Sequence, residues 1–185
     1  MQRNADRTRT RILAAATEEF AARGIAGARV NRIAEVAGCN KAMLYAYFGS
    51  KDGLFDAVYT AAVDAYLAEV GFDTADLPGY AGRVFDYFEK HPEHQRLNIW
   101  YRLERPEGTA LEAIVAVNKS RLGDLDQTQR SRVVPANFTP MELLALLQAI
   151  ATSWSSMNPE YGARAPSKAS RRAAVVEAVR RLVTS

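Results

Sequence analysis

Between residues 29 and 48 the chain reads Arg-Val-Asn-Arg-Ile-Ala-Glu-Val-Ala-Gly-Cys-Asn-Lys-Ala-Met-Leu-Tyr-Ala-Tyr-Phe. Apolar residues recur at helical spacing before the glycine (Val30, Ile33, Ala34, Ala37) and after it (Leu44, Phe48). Neither run is long enough to be stable alone, so two short helices joined at Gly38-Cys39-Asn40 must bury their apolar faces on a third element. That element lies upstream, where Ile12, Ala16 and Phe20 recur every four residues with Leu13 beside them, from Asp6 to a stop at Gly24. The pattern is that of a helix-turn-helix unit, whose second helix presents its outward side chains to a partner.

Charge indicates the kind of partner. Residues 1–55 carry nine basic and five acidic side chains, and the rest of the chain carries fifteen and sixteen. A basic head on a nearly neutral body suits a polyanion at one end only. The single cysteine, Cys39, excludes an intramolecular disulfide and reads as a small turn residue. With no apolar leader and no run approaching ~18 apolar residues, the expectation is a soluble, cytoplasmic protein that does not enter a membrane.

The remaining elements also read as helices, because no stretch alternates apolar with polar residues. Ser50 can cap a fourth helix carrying Leu54, Phe55, Val58, Ala62 and Tyr66, and residues 71–78 form a linker. Ala81, Val84, Phe85 and Phe88 mark a helix ending near His91, and Pro92 starts another with Leu97, Trp100, Tyr101 and Leu103. Arg105-Pro106-Glu107-Gly108 reads as a turn before a helix from about Thr109 toward Leu125 or Arg130, weakened by Gly123. Thr139-Pro140-Met141-Glu142 is a capping-box helix start, Asn158–Lys168 a loop, and Val175, Val176, Val179, Leu182 and Val183 mark the last helix. The fold expected is all-α, with about nine helices.

Taken in order, Phe20 with Arg23-Gly24, Ile33-Ala34-Glu35, Ala37-Gly38, Leu44-Tyr45, Tyr47-Phe48, Ser50-Lys51-Asp52 and Leu54-Phe55 resemble the DNA-binding domain of the TetR family, over about Asp6 to Tyr66. The resemblance implies a short N-terminal arm (1–5), a DNA-binding domain (6–66, with the helix-turn-helix at 29–48) and a helical ligand-binding and dimerisation domain (67–185). It also implies a homodimer on double-stranded operator DNA, a repressor released by a small-molecule effector, and no cofactor. Lys41, Ala42 and Met43 then open the recognition helix, Tyr45 and Tyr47 occupy aromatic backbone-contact positions, and Lys51 matches a phosphate contact. Asn31 and Asn40 join this set. Arg29 and Arg32 supply charge where family members usually place a Thr or Ser hydroxyl. Ala42-Met43 stands where Gly-Thr or Gly-Ser is common, so fewer polar side chains read bases directly, and Ala42 and Met43 suit a thymine methyl. Tyr45 and Tyr47 also have a simple packing role open to them, and Met43 that of a gap filler.

For the C-terminal body, Phe85, Phe88, Trp100, Tyr101, Trp154 and Met157 are candidate pocket residues, with ordinary core as the alternative for each. The last two helices, about 139–157 and 169–184, are apolar over more than one face. Leu143, Leu147, Ile150, Val175, Val179 and Leu182 are therefore the candidates for a four-helix dimer interface. His91 and His94 flank Pro92 at a helix junction, so no metal is expected there. No nucleophile–base set or phosphate-binding loop argues for catalysis. The competing classes are a helical enzyme or carrier with an incidental basic head, and a DNA binder of this fold with an activating or structural role.

Overall fold

The computed structural model describes residues 2–105, 111–154 and 164–184. Among them are nine helices and no strand: α1 (Gln2–Gly27), α2 (Val30–Val36), α3 (Lys41–Phe48), α4 (Lys51–Glu69), α5 (Leu77–Lys90), α6 (Pro92–Glu104), α7 (Glu112–Arg130), α8 (Pro140–Ala151) and α9 (Lys168–Leu182). No described helix is long and apolar enough to cross a membrane. The chain divides into two compact units, Met1–Ala65 with Glu93–Leu111, and Tyr66–Pro92 with Glu112–Ser185.

In the first unit Ile12, Ala16 and Phe20 form the buried face of α1, and Ile33, Ala34, Leu44, Leu54 and Phe55 are buried in the same unit. The Phe20 ring meets Phe55 edge-on at 5.2 Å, and burying a phenyl ring of this kind contributes about 1.5–3 kcal/mol. Helix α1 starts at Gln2 rather than Asp6. Gly24 does not end it. With φ 73°, the glycine kinks the chain, which resumes a helical turn as far as Gly27.

Helix α6, expected from sequence in the C-terminal body, packs within this first unit. Trp100 Nε1 donates to the Ala21 carbonyl at 3.2 Å, and Tyr101 stacks on Tyr59 at 4.3 Å. Tyr59 donates its hydroxyl to Asn98 Oδ1 at 2.9 Å. Burial first, and the neighbouring Tyr101 second, push the Tyr59 hydroxyl up to about 12. Trp100 and Tyr101, both candidate pocket residues, thus pack on α1 and α4 within this first unit.

In the second unit α5 packs against α8 and α9, and α7 against α8. Thr139 and Glu142 close the expected capping box at the start of α8. Gly123 neither ends nor interrupts α7. Arg171 pairs with Glu89 through two 2.8 Å hydrogen bonds and Arg172 with Asp86 at 2.7 Å, tying α9 to α5. Leu143, Leu147, Val175 and Val179 lie in the core of this unit with Leu77, Tyr80, Val84, Phe85 and Leu125. These four candidates for the dimer interface pack the core of their own chain. Ile150 and Leu182 pack against the same core and stay half-buried. The outward positions are instead Met141, Ala145 and Ala149 on α8 and Ala174 and Ala178 on α9, all exposed. Phe85 is core, Phe88 and Trp154 are half-buried against it, and Met157 lies outside the described residues.

Candidate nucleic-acid interface

The short α2–α3 unit is built by local chemistry. Arg29 precedes α2 without a side-chain cap. Glu19 of α1 takes that role, its Oε1 accepting from the Arg29 N–H at 3.1 Å. The turn passes through Gly38 at φ 64°, a left-handed conformation that costs glycine nothing. Asn40 then caps α3, its Oδ1 accepting from the Met43 N–H at 2.7 Å, and Gly49 at φ 73° ends it. Ser50 accepts from the Gly53 N–H at 2.9 Å and opens α4.

Glu19 is 6% exposed yet ionic, lying 3.4 Å from Arg23 Nε and 3.3 Å from Arg32 Nε. One buried carboxylate therefore fixes two guanidinium groups and the start of α2. The two arginines keep about half their surface in water, so their outer N–H groups remain available to an anion. An open groove of about 580 Å³ is lined by Arg23, Arg29, Val30, Asn31, Arg32, Glu35, Lys41 and Tyr45. The Lys41 ammonium lies 5.7 Å above the Tyr45 ring, which orients both.

The groove brings together five of the sequence-derived candidates, Arg29, Asn31, Arg32, Lys41 and Tyr45. Asn40, Ala42, Met43, Tyr47 and Lys51 lie outside its lining. Of these, Asn40, Ala42, Met43 and Tyr47 are exposed, the last two by 41% and 37%. Asn40 spends one side-chain acceptor on its cap. Lys51 is half-buried, and its Nζ donates to the Ala26 carbonyl at 2.9 Å, tying the start of α4 to the end of α1.

Sequence reasoning missed Arg23 in the groove and two positioning carboxylates. Glu19 was signalled only by its i, i+4 spacing to Arg23. Glu104 had no local signal. It accepts from the Ile25 and Ala26 N–H groups at 3.1 and 2.6 Å, across 79 and 78 residues of sequence. A side chain on Gly24 would collide with that carboxylate and with Trp100.

Residues 12–58 match the family described as bacterial regulatory proteins of the tetR family, and residues 76–181 match its tetracyclin repressor-like C-terminal domain. The chain belongs to the TetR family. It is 35% identical over 162 residues to an HTH-type transcriptional repressor of Streptomyces coelicolor, covering 85% of this chain and 83% of that one. The HTH-type transcriptional repressor NicS of Pseudomonas putida is 40% identical over 97 residues, 48% of this chain and 45% of NicS. A crystal structure of a Streptomyces coelicolor transcriptional regulator superposes with a TM-score of 0.85 at 42% identity, covering 95% of this chain and 98% of that one. As a TetR-family member the chain is a DNA-binding transcriptional regulator.

Proposed function

We propose that this TetR-family chain is a repressor that binds a palindromic operator as a twofold dimer in the cytoplasm, and that a small molecule held in the second unit releases it. The observation that carries this reading is the groove at α2 and α3, where Arg29, Arg32, Lys41 and Tyr45 converge around an exposed recognition helix. Lys41, Ala42 and Met43 enter the major groove N-terminus first, while Arg29, Arg32 and Lys51 with the hydroxyls of Tyr45 and Tyr47 meet phosphates. Asn31 and Asn40 flank the same surface.

A helix of two turns touches few base pairs, so specificity requires a second copy. The exposed Met141, Ala145, Ala149, Ala174 and Ala178 offer α8 and α9 a smooth apolar surface for close helix packing across a twofold axis. The effector must prefer the non-binding geometry, because equal affinity for both states shifts nothing. The test is selection of genomic fragments by the purified protein, followed by a reporter under the selected promoter. Expression should rise when the gene for this chain is deleted. Unchanged expression at every selected site would contradict repression.

A further inference from the structure

Arg121 on α7 is the one arginine among the described residues that is less than 9% exposed, and it makes no ion pair with any described residue. Its guanidinium carbon sits 5.5 Å from the Tyr66 ring, 5.5 Å from Phe72 and 5.8 Å from Tyr80. One terminal nitrogen, Nη2, is buried with no hydrogen-bond partner. The Tyr66 and Tyr80 hydroxyls share a hydrogen bond at 3.0 Å beside it. The Tyr66 hydroxyl does not serve as the missing counter-ion. Burial, then the neighbouring Tyr80, raise Tyr66 far above the ordinary tyrosine range against the opposing pull of Arg121, so it stays neutral.

Three ring faces stabilise a buried cation only in part, and a guanidinium carries a planar fork of donors matched to a carboxylate. Buried charges are otherwise paired, and an unpaired one with an idle donor lacks its anion. From this geometry we infer that Arg121 is the anchor of the effector site, and that the effector is a small organic monoanion, a carboxylate on an apolar body. The inference rests on the reading of the second unit as effector-binding and names the chemistry it accepts. A single unpaired cation balances a single negative charge, and the neutral Tyr66 hydroxyl beside it adds no charge; this favours a carboxylate over a phosphate dianion. The apolar body follows from the surroundings, since Phe72 faces the guanidinium and Phe88 and Leu122 pack against the same core. Tyr66 and Phe72 are only half-buried, so the rim of the aromatic box reaches solvent while the guanidinium does not.

The experiment uses the full chain and a fixed probe set: benzoate, phenylacetate and octanoate, their neutral amides, benzamidine, and inorganic phosphate. Binding is read by calorimetry and thermal shift, and release by anisotropy of a selected genomic DNA fragment. At least one carboxylate should bind and release DNA, with its amide roughly ten- to hundredfold weaker, the fold-change that loss of a charge-assisted hydrogen bond gives. Arg121→Met should lower affinity for that carboxylate by a similar factor while its ligand-free melting temperature holds or rises, because the substitution removes an unpaired buried charge. A ligand-free melting temperature well below wild type would mark Arg121 as a structural strut and overturn the inference. So would equal binding of carboxylate and amide by the wild-type protein, a comparison that stands even if the variant fails to fold. Binding by none of the carboxylates overturns it as well. Release of DNA by an amide or by benzamidine alone contradicts the monoanion and leaves ligand-responsive binding standing. A protein that selects no DNA contradicts the repressor reading instead.

Discussion

Glu104 Oε2 lies 2.6 Å from the backbone nitrogen of Ala26, so the last residue of α6 caps the turn that follows the kink at Gly24. Lys51 bonds the carbonyl of the same Ala26. The five residues that lead from α1 into Arg29 and α2 are thus held from one side by a carboxylate and from the other by an ammonium.

Replacing Glu104 by Gln keeps the shape but leaves one acceptor oxygen, so one of the two bonds is lost. Glu104→Ala removes them and should cost about 1–3 kcal/mol, since two amide donors lose a charged acceptor. Gly24→Ala should cost as much or more, because the left-handed φ and the collision with Trp100 add. Gly123→Ala is the control. A side chain there meets nothing within 4 Å, and the exposed mid-helix position should gain about 0.5–1 kcal/mol. Urea midpoints of the four variants check the order, and an unaffected Gly24→Ala would remove the clamp.

Salt separates phosphate contacts from packing. Each phosphate neutralised adds roughly 0.9 to the slope of log K against log salt. Lys41→Ala should lower that slope by about one such contact. Lys51→Ala should lower both the slope and the melting temperature, because its ammonium also holds Ala26. An unchanged slope in Lys41→Ala would take Lys41 off the phosphate backbone.

Dimerisation and folding part at neighbouring residues of α8. Leu147 is wholly buried, so Leu147→Glu should abolish folding rather than merely separate subunits. Ala145→Glu and Ala178→Glu place the charge on the outward face and should give a folded, helical monomer. Sedimentation with circular dichroism distinguishes these outcomes. A folded dimer in both alanine variants would move the seam elsewhere.

Tyr59 makes stability fall at high pH. Its hydroxyl titrates at about 12 when folded against an ordinary 10, so the folded state holds the proton more tightly. The contribution is fully present below pH 10 and is lost as pH rises toward 12, worth about 2–3 kcal/mol. Tyr59→Phe should flatten the urea midpoint above pH 10 relative to wild type. Parallel curves would deny Tyr59 that role.

The parts of the fold legible in the sequence are those set within a few residues. The caps Asn40, Ser50 and Thr139, and the buried stripe Ile12, Ala16 and Phe20, depend on local spacing, and the structure has them in place. What escaped depends on distant partners. That Leu147 and Val179 pack their own chain's core is not visible in periodicity, which shows that a face is apolar but not what covers it. Nothing near Trp100 in sequence announces its bond to Ala21. Glu19 and Glu104 resemble solvated helix charges until the packing of α1, α2 and α6 surrounds them. At the candidate DNA face, the exposed side chains of α3 follow directly from helical phase, whereas the arginine geometry depends on Glu19.

Hydroxyl-radical footprinting on a selected operator tests most directly whether two copies of α3 read DNA together. The expected pattern is two protected patches related by a twofold axis, on successive major grooves about one duplex turn (~34–36 Å) apart, both weakened by Met43→Asp. A single patch without twofold symmetry, protected at full strength by a monomer, would contradict it.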